Sequence, residues 1–281
     1  MKSQELNKFH IFFHKDNKLA NFWVKKISAF IKSKFPAYKL DSKNPEVIIV
    51  LGGDGTILEA ARKYHESGSM ILALNLGHIG FLASVRKEEE FLKSLDKFLK
   101  GQYEVTEKMM ITAKVKRRGK FIFKSEALNE VVVKSPLGMV ELEAKISGHP
   151  VKYIQGTGIL VSTATGSTAY NLSAHGPIVM PNIKCFIITE VLDHSIPSPS
   201  IVVKYNNSVN VKVISFRKRG IISHSKTGEK IDVLLIADGE SLFPLEEKDE
   251  VVIENSPHMV KFVEFEPNYF FKSLQEKFGF R

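Results

Sequence analysis

A single cysteine, Cys185, is all the thiol this chain contains. One thiol excludes an internal disulfide and any cysteine-built zinc cluster. Cys185 sits in the apolar run KCFIITEVL, which predicts a buried, inert side chain. Long hydrophobic runs are also missing, and nothing approaches the roughly 18 apolar residues of a membrane span. The opening stretch MKSQELNKFHIFFHK has neither the uninterrupted apolar core nor the small-residue cleavage site of a signal peptide. A cytoplasmic protein with no membrane partner is the expectation. There is no internal repeat and no low-complexity linker, so the parts of the chain should pack closely.

The chain does carry the means to build a core. It has 281 residues, 43% hydrophobic and 25% charged, the composition of a globular protein with one large domain or two ordinary ones. Forty Lys and Arg against 31 Asp and Glu give a formal charge of +9. Such an excess suits an anionic partner, or reflects a lysine-rich background with the lysines scattered. The densest basic runs, KVKRRGK at 114–120 and FRKRG at 216–220, lie between strand-like segments. They predict hairpin tips, and no basic stripe interleaved with aromatics marks a nucleic-acid track.

Periodicity divides the chain near residue 102. Before it, strand-like and helix-like patterns alternate. KFHIFFHK reads as a strand, and Asp16 or Asn17 can cap a helix whose Leu19, Phe22, Trp23, Ile27, Phe30 and Ile31 share a face, with Pro36 closing it. EVIIVL at 46–51 is a β-branched run of the kind buried on both faces. GDGTILEAARKYH turns helical, SMILALNLG is a strand, and KEEEFLKSLDKFLKG is an amphipathic helix stopping at Gly101. This order predicts an α/β N-terminal domain, residues 1–101, with a parallel sheet. Period-two segments with Arg-Gly, Ser-Gly, Asn-Asn and Asp-Gly turn signals then predict a β-rich C-terminal domain, residues 102–266. The tail NYFFKSLQEKFGF, within 267–281, returns to helix and is expected to pack back on the first domain.

Four segments carry chemistry. In LGGDGT, Gly52, Gly53 and Gly55 free the backbone to approach a ligand, and with Thr56 at the start of a helix they can form an anion nest. No Gly-Lys-Ser/Thr follows, so this is no P-loop, and it is not the dinucleotide GxGxxG. Asp54 among the glycines is the anomaly, since a carboxylate repels phosphate; the plain alternative is a helix cap. NLGHIGFLA, Asn75 to Ala83, ends another strand and should lie at the same sheet edge, with Phe81 offering an apolar face and His78 read as structural. In ALNEVVVK, the polar pair Asn129-Glu130 interrupts an apolar strand. The pair either satisfies itself or accepts from the hydroxyls of a ribose, an unsatisfied burial costing about 1–3 kcal/mol each. QGTGILVSTATGSTAYNLSAHGP, Gln155 to Pro177, crowds Ser162, Thr163, Thr165, Ser167, Thr168, Tyr170, Asn171 and Ser173 around glycines. It can read a base edge, with Tyr170 stacking on the base.

Together GGDGT, NLGHIGFL, NE and TGSTAYNLSAHGP resemble, in order, the signature segments of the NAD kinase family, which makes NADP from NAD. ADGES at 237–241 and the tail are similar to the family's closing motifs. The first motif is shared with diacylglycerol and sphingosine kinases and, more loosely, with phosphofructokinases; the GSTAY block is more specific. The resemblance implies a site in the cleft between the two domains and assembly into homodimers or homotetramers whose sites can borrow residues. It implies Asp54 as proton acceptor with Gly55 beside it, and Asn129 and Glu130 on the ribose. Thr168, Ala169, Tyr170, Asn171 and Ser173 would line the adenine pocket, with Thr165 in the same turn and Phe81 nearby. Gly52, Gly53, Gly55 and Thr56 would hold the donor phosphates. ATP and a divalent ion such as magnesium are the implied co-substrate and cofactor, the metal ligands being unassigned. Ala164 and His175 stand where the family commonly has Pro and Gly. At Gln155 and Thr157, toward the nicotinamide end, the family often has a basic and an acidic residue, and Glu240 replaces a common neutral amide. These three positions bear on which dinucleotide enters. The donor range, among ATP, other triphosphates and polyphosphate, stays open.

Rival functions make different demands. A lipid kinase of the diacylglycerol or sphingosine type needs a route for an acyl chain, and no exposed apolar helix or anchor appears. A non-catalytic dinucleotide-binding regulator would keep Asn129, Glu130 and Tyr170 but has no use for Asp54.

Overall fold

The computed structural model describes residues 6–77, 80–193, 198–223, 228, 230–267 and 269–279. His78, read above as structural, lies outside the described residues. The chain divides into two compact units, Met1–Lys108 with His258–Arg281, and Met109–Pro257. The divisions fall at 108/109 and 257/258 instead of 101/102 and 266/267. The physical reason is that two long strands, Glu104–Arg117 and Glu250–Glu264, each contribute to both units.

The first unit opens with β1 (Lys8–Phe13), α1 (Lys18–Lys34) and β2 (Lys39–Leu40), followed by β3 (Val47–Gly52), α2 (Asp54–Tyr64), β4 (Met70–Asn75) and α3 (Phe91–Leu99). Asn17 caps α1 by accepting the Ala20 amide at 3.0 Å, and Phe35 ends the helix just before Pro36. β1 pairs in parallel with β2 and β3, and β3 with β4. All six residues of β3 are buried, as its β-branched run requires when both faces are covered. Phe9, Ile49, Leu51 and Leu74 pack with Trp23, Ile27 and Ile31 of α1 and with Phe91, Leu95 and Phe98 of α3.

The second unit is antiparallel. It takes in β5 (Glu104–Arg117), β6 (Lys120–Ala127), β7 (Glu130–Lys134), β8 (Val140–Ile146), β9 (His149–Thr163) and the short helix α4 (Tyr170–Ser173). There follow β10 (Cys185–Asp193), β11 (Ile201–Lys204), β12 (Val209–Phe216), the two-residue strands β13 (Ile222–Ser223) and β14 (Lys230–Ile231), β15 (Leu234–Ala237), β16 (Ser241–Pro244) and β17 (Glu250–Glu264). β9 is the hub, pairing with β8 near its start and with β7 and β10 toward its end. Arg118-Gly119, Ser147-Gly148 and Asp238-Gly239 all have positive φ at both residues and close tight hairpins. Two expectations fail. FRKRG is not a hairpin tip, because β12 pairs with β8 and β17 while the segment leads away to β13; the Arg219 and Gly220 amides donate to Asp232. Asn206-Asn207 joins β11 to β12, which pair with β10 and β8 and not with each other. Cys185 is buried, and burial pushes its thiol pKa up, as befits an inert residue.

The end of β17 returns to the first unit, where Lys261 and Phe262 pair in parallel with Met70 and Ile71 of β4. α5 (Tyr269–Phe278) follows, and Arg86 holds it by donating to the Tyr269 carbonyl at 2.9 Å, the Glu276 carboxylate at 2.6 Å and the Ser273 hydroxyl. Among the described residues no helix is long and apolar enough to cross a membrane.

Candidate active site

β3 delivers Asp54 to the carboxyl edge of the parallel sheet. Gly52 pairs with Asn75 at the end of β4, so LGGDGT and NLG do share one sheet edge. Asp54 is the first residue of α2, and its carboxylate is gripped by backbone: Phe81 N–H donates to Oδ2 at 2.9 Å and Leu82 N–H to Oδ1 at 3.3 Å. A carboxylate offers about four lone-pair sites, so acceptor capacity remains on Asp54. Gly80 has no room for a side chain, since a Cβ there would meet Asp54 Oδ1 at 2.1 Å. Gly53 caps α2 without a side-chain hydrogen bond, which leaves first-turn amides free of intrahelical acceptors and the positive end of the helix toward solvent. A Cβ on Gly53 or Gly55 would meet nothing within 4 Å, whereas one on Gly52 would strike Thr56 Oγ1 at 2.4 Å. Gly52 and Thr56 are therefore packed on each other, and the open glycines are Gly53 and Gly55.

In the second unit, Asn129 and Glu130 sit where β6 gives way to β7, both buried. Asp238 fixes them. From the β15–β16 turn it accepts the amides of Leu128 at 2.7 Å, Asn129 at 2.8 Å and Glu130 at 3.2 Å. The Ser/Thr-rich segment folds into a 3-10 turn, Thr165–Thr168, and then α4. Thr163 Oγ1 donates to the Leu128 carbonyl at 2.7 Å and Ser162 Oγ to the Asn129 carbonyl at 3.2 Å. Gly166 lies so close that a Cβ would meet Asn129 O at 2.2 Å. The Tyr170 amide donates to the Glu130 carboxylate, and Lys134 Nζ stands 5.6 Å from the Tyr170 ring centroid. Burial, and then the neighbouring Asp238 charge, push the Glu130 carboxyl up to about 8. Asn129 Oδ1, Glu130 Oε2 and Thr165 Oγ1 are buried with no hydrogen-bond partner in the protein, a cost of about 1–3 kcal/mol apiece. Thr168, Ala169 and Tyr170, half-buried, adjoin them.

Other expected site residues land differently. Asn171 is fully buried and its amide is used by protein: Nδ2 donates to the Ser167 and Pro177 carbonyls and Oδ1 accepts from Thr189. It pins the turn instead of facing a base. Ser173 is exposed at the far end of α4. Phe81 is 5% exposed, its ring covered by Phe270, Phe278 and Lys277 of α5. Gln155 and Thr157 lie on β9, and because Glu130 pairs with Ser162, Gln155 is roughly 23 Å of extended strand away. Gln155 Nε2 donates to Glu141 at 3.2 Å. Glu240 is exposed in the turn that carries Asp238. In the sequence Asp238-Gly239 reads as a turn within ADGES, with nothing local to mark Asp238 as the acceptor for three amides.

Among the described residues one trio, His65, Glu66 and His258, brings three metal-type donor atoms within 4.8 Å of one another. Ligand atoms of a tetrahedral site lie about 3.4 Å apart, and the trio sits beyond the end of α2, roughly 16 Å from Asp54 along the helix axis. It is no part of the Asp54 site.

Residues 8–103 match the ATP-NAD kinase N-terminal domain and residues 128–265 the ATP-NAD kinase C-terminal domain. The chain is 36% identical over 234 residues to an NAD kinase of Natranaerobius thermophilus, covering 83% of this chain and 77% of that one. It is similar in fold to the yeast NADH kinase solved with NADH, at TM-score 0.86 and 18% identity, covering 99% of this chain and 89% of the other. It also matches an NAD kinase from Archaeoglobus fulgidus solved with ATP, at TM-score 0.76 and 25% identity over 96% and 98% of the two chains. With both domains matched in order and relatives of this identity over most of the chain, this chain belongs to the NAD kinase family of phosphotransferases.

Proposed function

We propose that the chain transfers the γ-phosphoryl group of ATP to the 2′-hydroxyl of the adenosine ribose of NAD, giving NADP. The observation that carries this reading is the set of buried acceptors lacking protein partners, Asn129 Oδ1 and Glu130 Oε2, beside Thr165 Oγ1. Vicinal ribose hydroxyls would satisfy them, which neither a lipid kinase nor a nucleic-acid-binding surface explains.

An alcohol is a poor nucleophile until its proton has somewhere to go. Asp54, fixed by the Phe81 and Leu82 amides, keeps lone pairs for that proton and holds the hydroxyl in line with the phosphorus. The first-turn amides of α2 and the open backbone at Gly53 and Gly55 take the donor phosphates. Thr168, Ala169 and Tyr170 flank the base. Magnesium would arrive with the triphosphate, where it neutralises phosphate charge. Among the described residues no trio of carboxylates or histidines surrounds Asp54, so no protein cage is assigned to the ion. Gln155 and Thr157, far along β9, would serve a dinucleotide held by another copy, which favours a homodimer or homotetramer. A cytoplasmic setting suits these substrates.

The test is a coupled assay with ATP, magnesium and either NAD or NADH. Wild type should form NADP or NADPH, while Asp54→Asn should keep nucleotide binding and lose about 10²–10⁴ in turnover. Near-normal turnover by that variant would sink the assignment. Product at background with wild type would favour the regulator.

A further inference from the structure

We propose that Tyr269 is a positioning residue for the phosphoryl transfer, acting on Asp54 through the peptide between Phe81 and Leu82. This rests on Asp54 being the proton acceptor. The Tyr269 hydroxyl donates to the Phe81 carbonyl at 3.3 Å. The N–H of that same peptide is the Leu82 amide, which donates to Asp54 Oδ1 at 3.3 Å. A peptide is a rigid plane, so a hand on its carbonyl fixes its N–H. Accepting a bond at the oxygen also polarises the N–H into a better donor.

Tyr269 is itself held. Lys108 Nζ donates to the Tyr269 oxygen at 3.3 Å and to Glu264 Oε1 at 3.4 Å, and Thr106 donates to the same Glu264 oxygen at 2.6 Å. Lys108 and Glu264 are both buried. Burial pulls the Lys108 pKa down, opposed by Glu264, while burial, then the Glu264 charge and a hydrogen bond to Glu264, drive the Tyr269 hydroxyl far above the usual phenol range, its one proton being shared between Glu264 and the Phe81 carbonyl. Tyr269 thus stays a donor at any working pH. A buried ion pair seldom adds stability over an apolar pair of equal volume, so its presence here is better explained by the geometry it enforces. Arg86 donates to the Tyr269 backbone carbonyl, a hold on the main chain that does not use the hydroxyl.

Tyr269→Phe should lower kcat about three- to tenfold with KM for NAD and for ATP within about twofold. Exchange of the Leu82 amide should quicken while that of β3 does not change. In an Asp54→Asn background, adding Tyr269→Phe should reduce the residual rate no further, because the hydroxyl acts through the missing carboxylate. If Tyr269→Phe does not fold, Glu264→Gln, which keeps an acceptor for Thr106 and Lys108 but alters the hold on the Tyr269 hydroxyl, should change kcat while leaving both KM values alone. Wild-type kcat in either folded variant, or an equal loss in the Asp54→Asn background, overturns the proposal. Full turnover by Asp54→Asn alone would instead remove the reading of Asp54 on which it stands.

Discussion

Asp238 seats Glu130 and opposes its ionisation. Its Oδ1 accepts the Glu130 amide at 3.2 Å, and its charge adds to the burial that lifts the Glu130 carboxyl to about 8. One carboxylate thus acts as scaffold for another whose ionisation is opposed by burial and by that neighbouring charge.

The first consequence is a pH dependence of stability. Glu130 is raised from 4.5 in the unfolded chain to about 8 when folded, so between those values the folded state binds more protons. Stability therefore falls as pH rises through this window and levels off above it. Glu130→Gln should flatten that part of the curve, read as urea midpoints from about pH 5 to pH 9. Parallel curves for the two proteins would contradict the assignment.

Removing the scaffold charge should act on two observables. Asp238→Asn keeps one acceptor oxygen for the three amides it serves and deletes the repulsion on Glu130. The loss of charge-assisted bonds should cost about 2 kcal/mol, and the Glu130 titration should move down, followed by NMR of the carboxyl carbon. KM for NAD should rise while KM for ATP holds.

Gly55 offers a sharper separation of stability from function. It is helical, exposed, and a Cβ there would meet nothing. Gly55→Ala should stabilise the ligand-free protein by about 0.5–1 kcal/mol, yet raise KM for ATP if phosphate lies against the backbone at this turn. A variant both more stable and equally active would remove Gly55 from the phosphate site.

Gly80→Ala should do the reverse of a silent change. Its Cβ would press on the Asp54 carboxylate, not on a flexible side-chain end. Displacing that carboxylate from the Phe81 and Leu82 amides should cut kcat at least about tenfold, since misplacement by an ångström is costly in such a step. Unchanged kcat with an unchanged melting temperature would count against Asp54 as proton acceptor.

Much of this was legible in the residues because local chemistry and tertiary position agreed. EVIIVL had to be a doubly covered strand, Asn17 had a helix to cap, and the glycines around Asp54 stand, as their pattern predicts, between a buried strand and a helix. What stayed hidden depends on distant partners. Asp238 reads as a turn residue until the amides of 128–130 come to lie over it. Tyr269 reads as one more apolar position of an amphipathic helix until Lys108 and Phe81 reach it. Asn171 reads as a base-binding amide, but Thr189 and Pro177 have already claimed it. Strand order was equally opaque, since nothing local says that β11 pairs back to β10 and leaves β12 to others.

The return of β17 and α5 to the first unit has a consequence for how a working molecule comes into being. Met70 must wait for Lys261 to complete its sheet, and the loop beside Asp54 must wait for Tyr269. Contacts so distant in sequence form late and slowly. A nascent or clipped chain lacking this helix could therefore present every glycine of GGDGT and still have its carboxylate unsteadied. Phosphoryl transfer, with Asp54 as its proton acceptor, would then depend on this helix being docked.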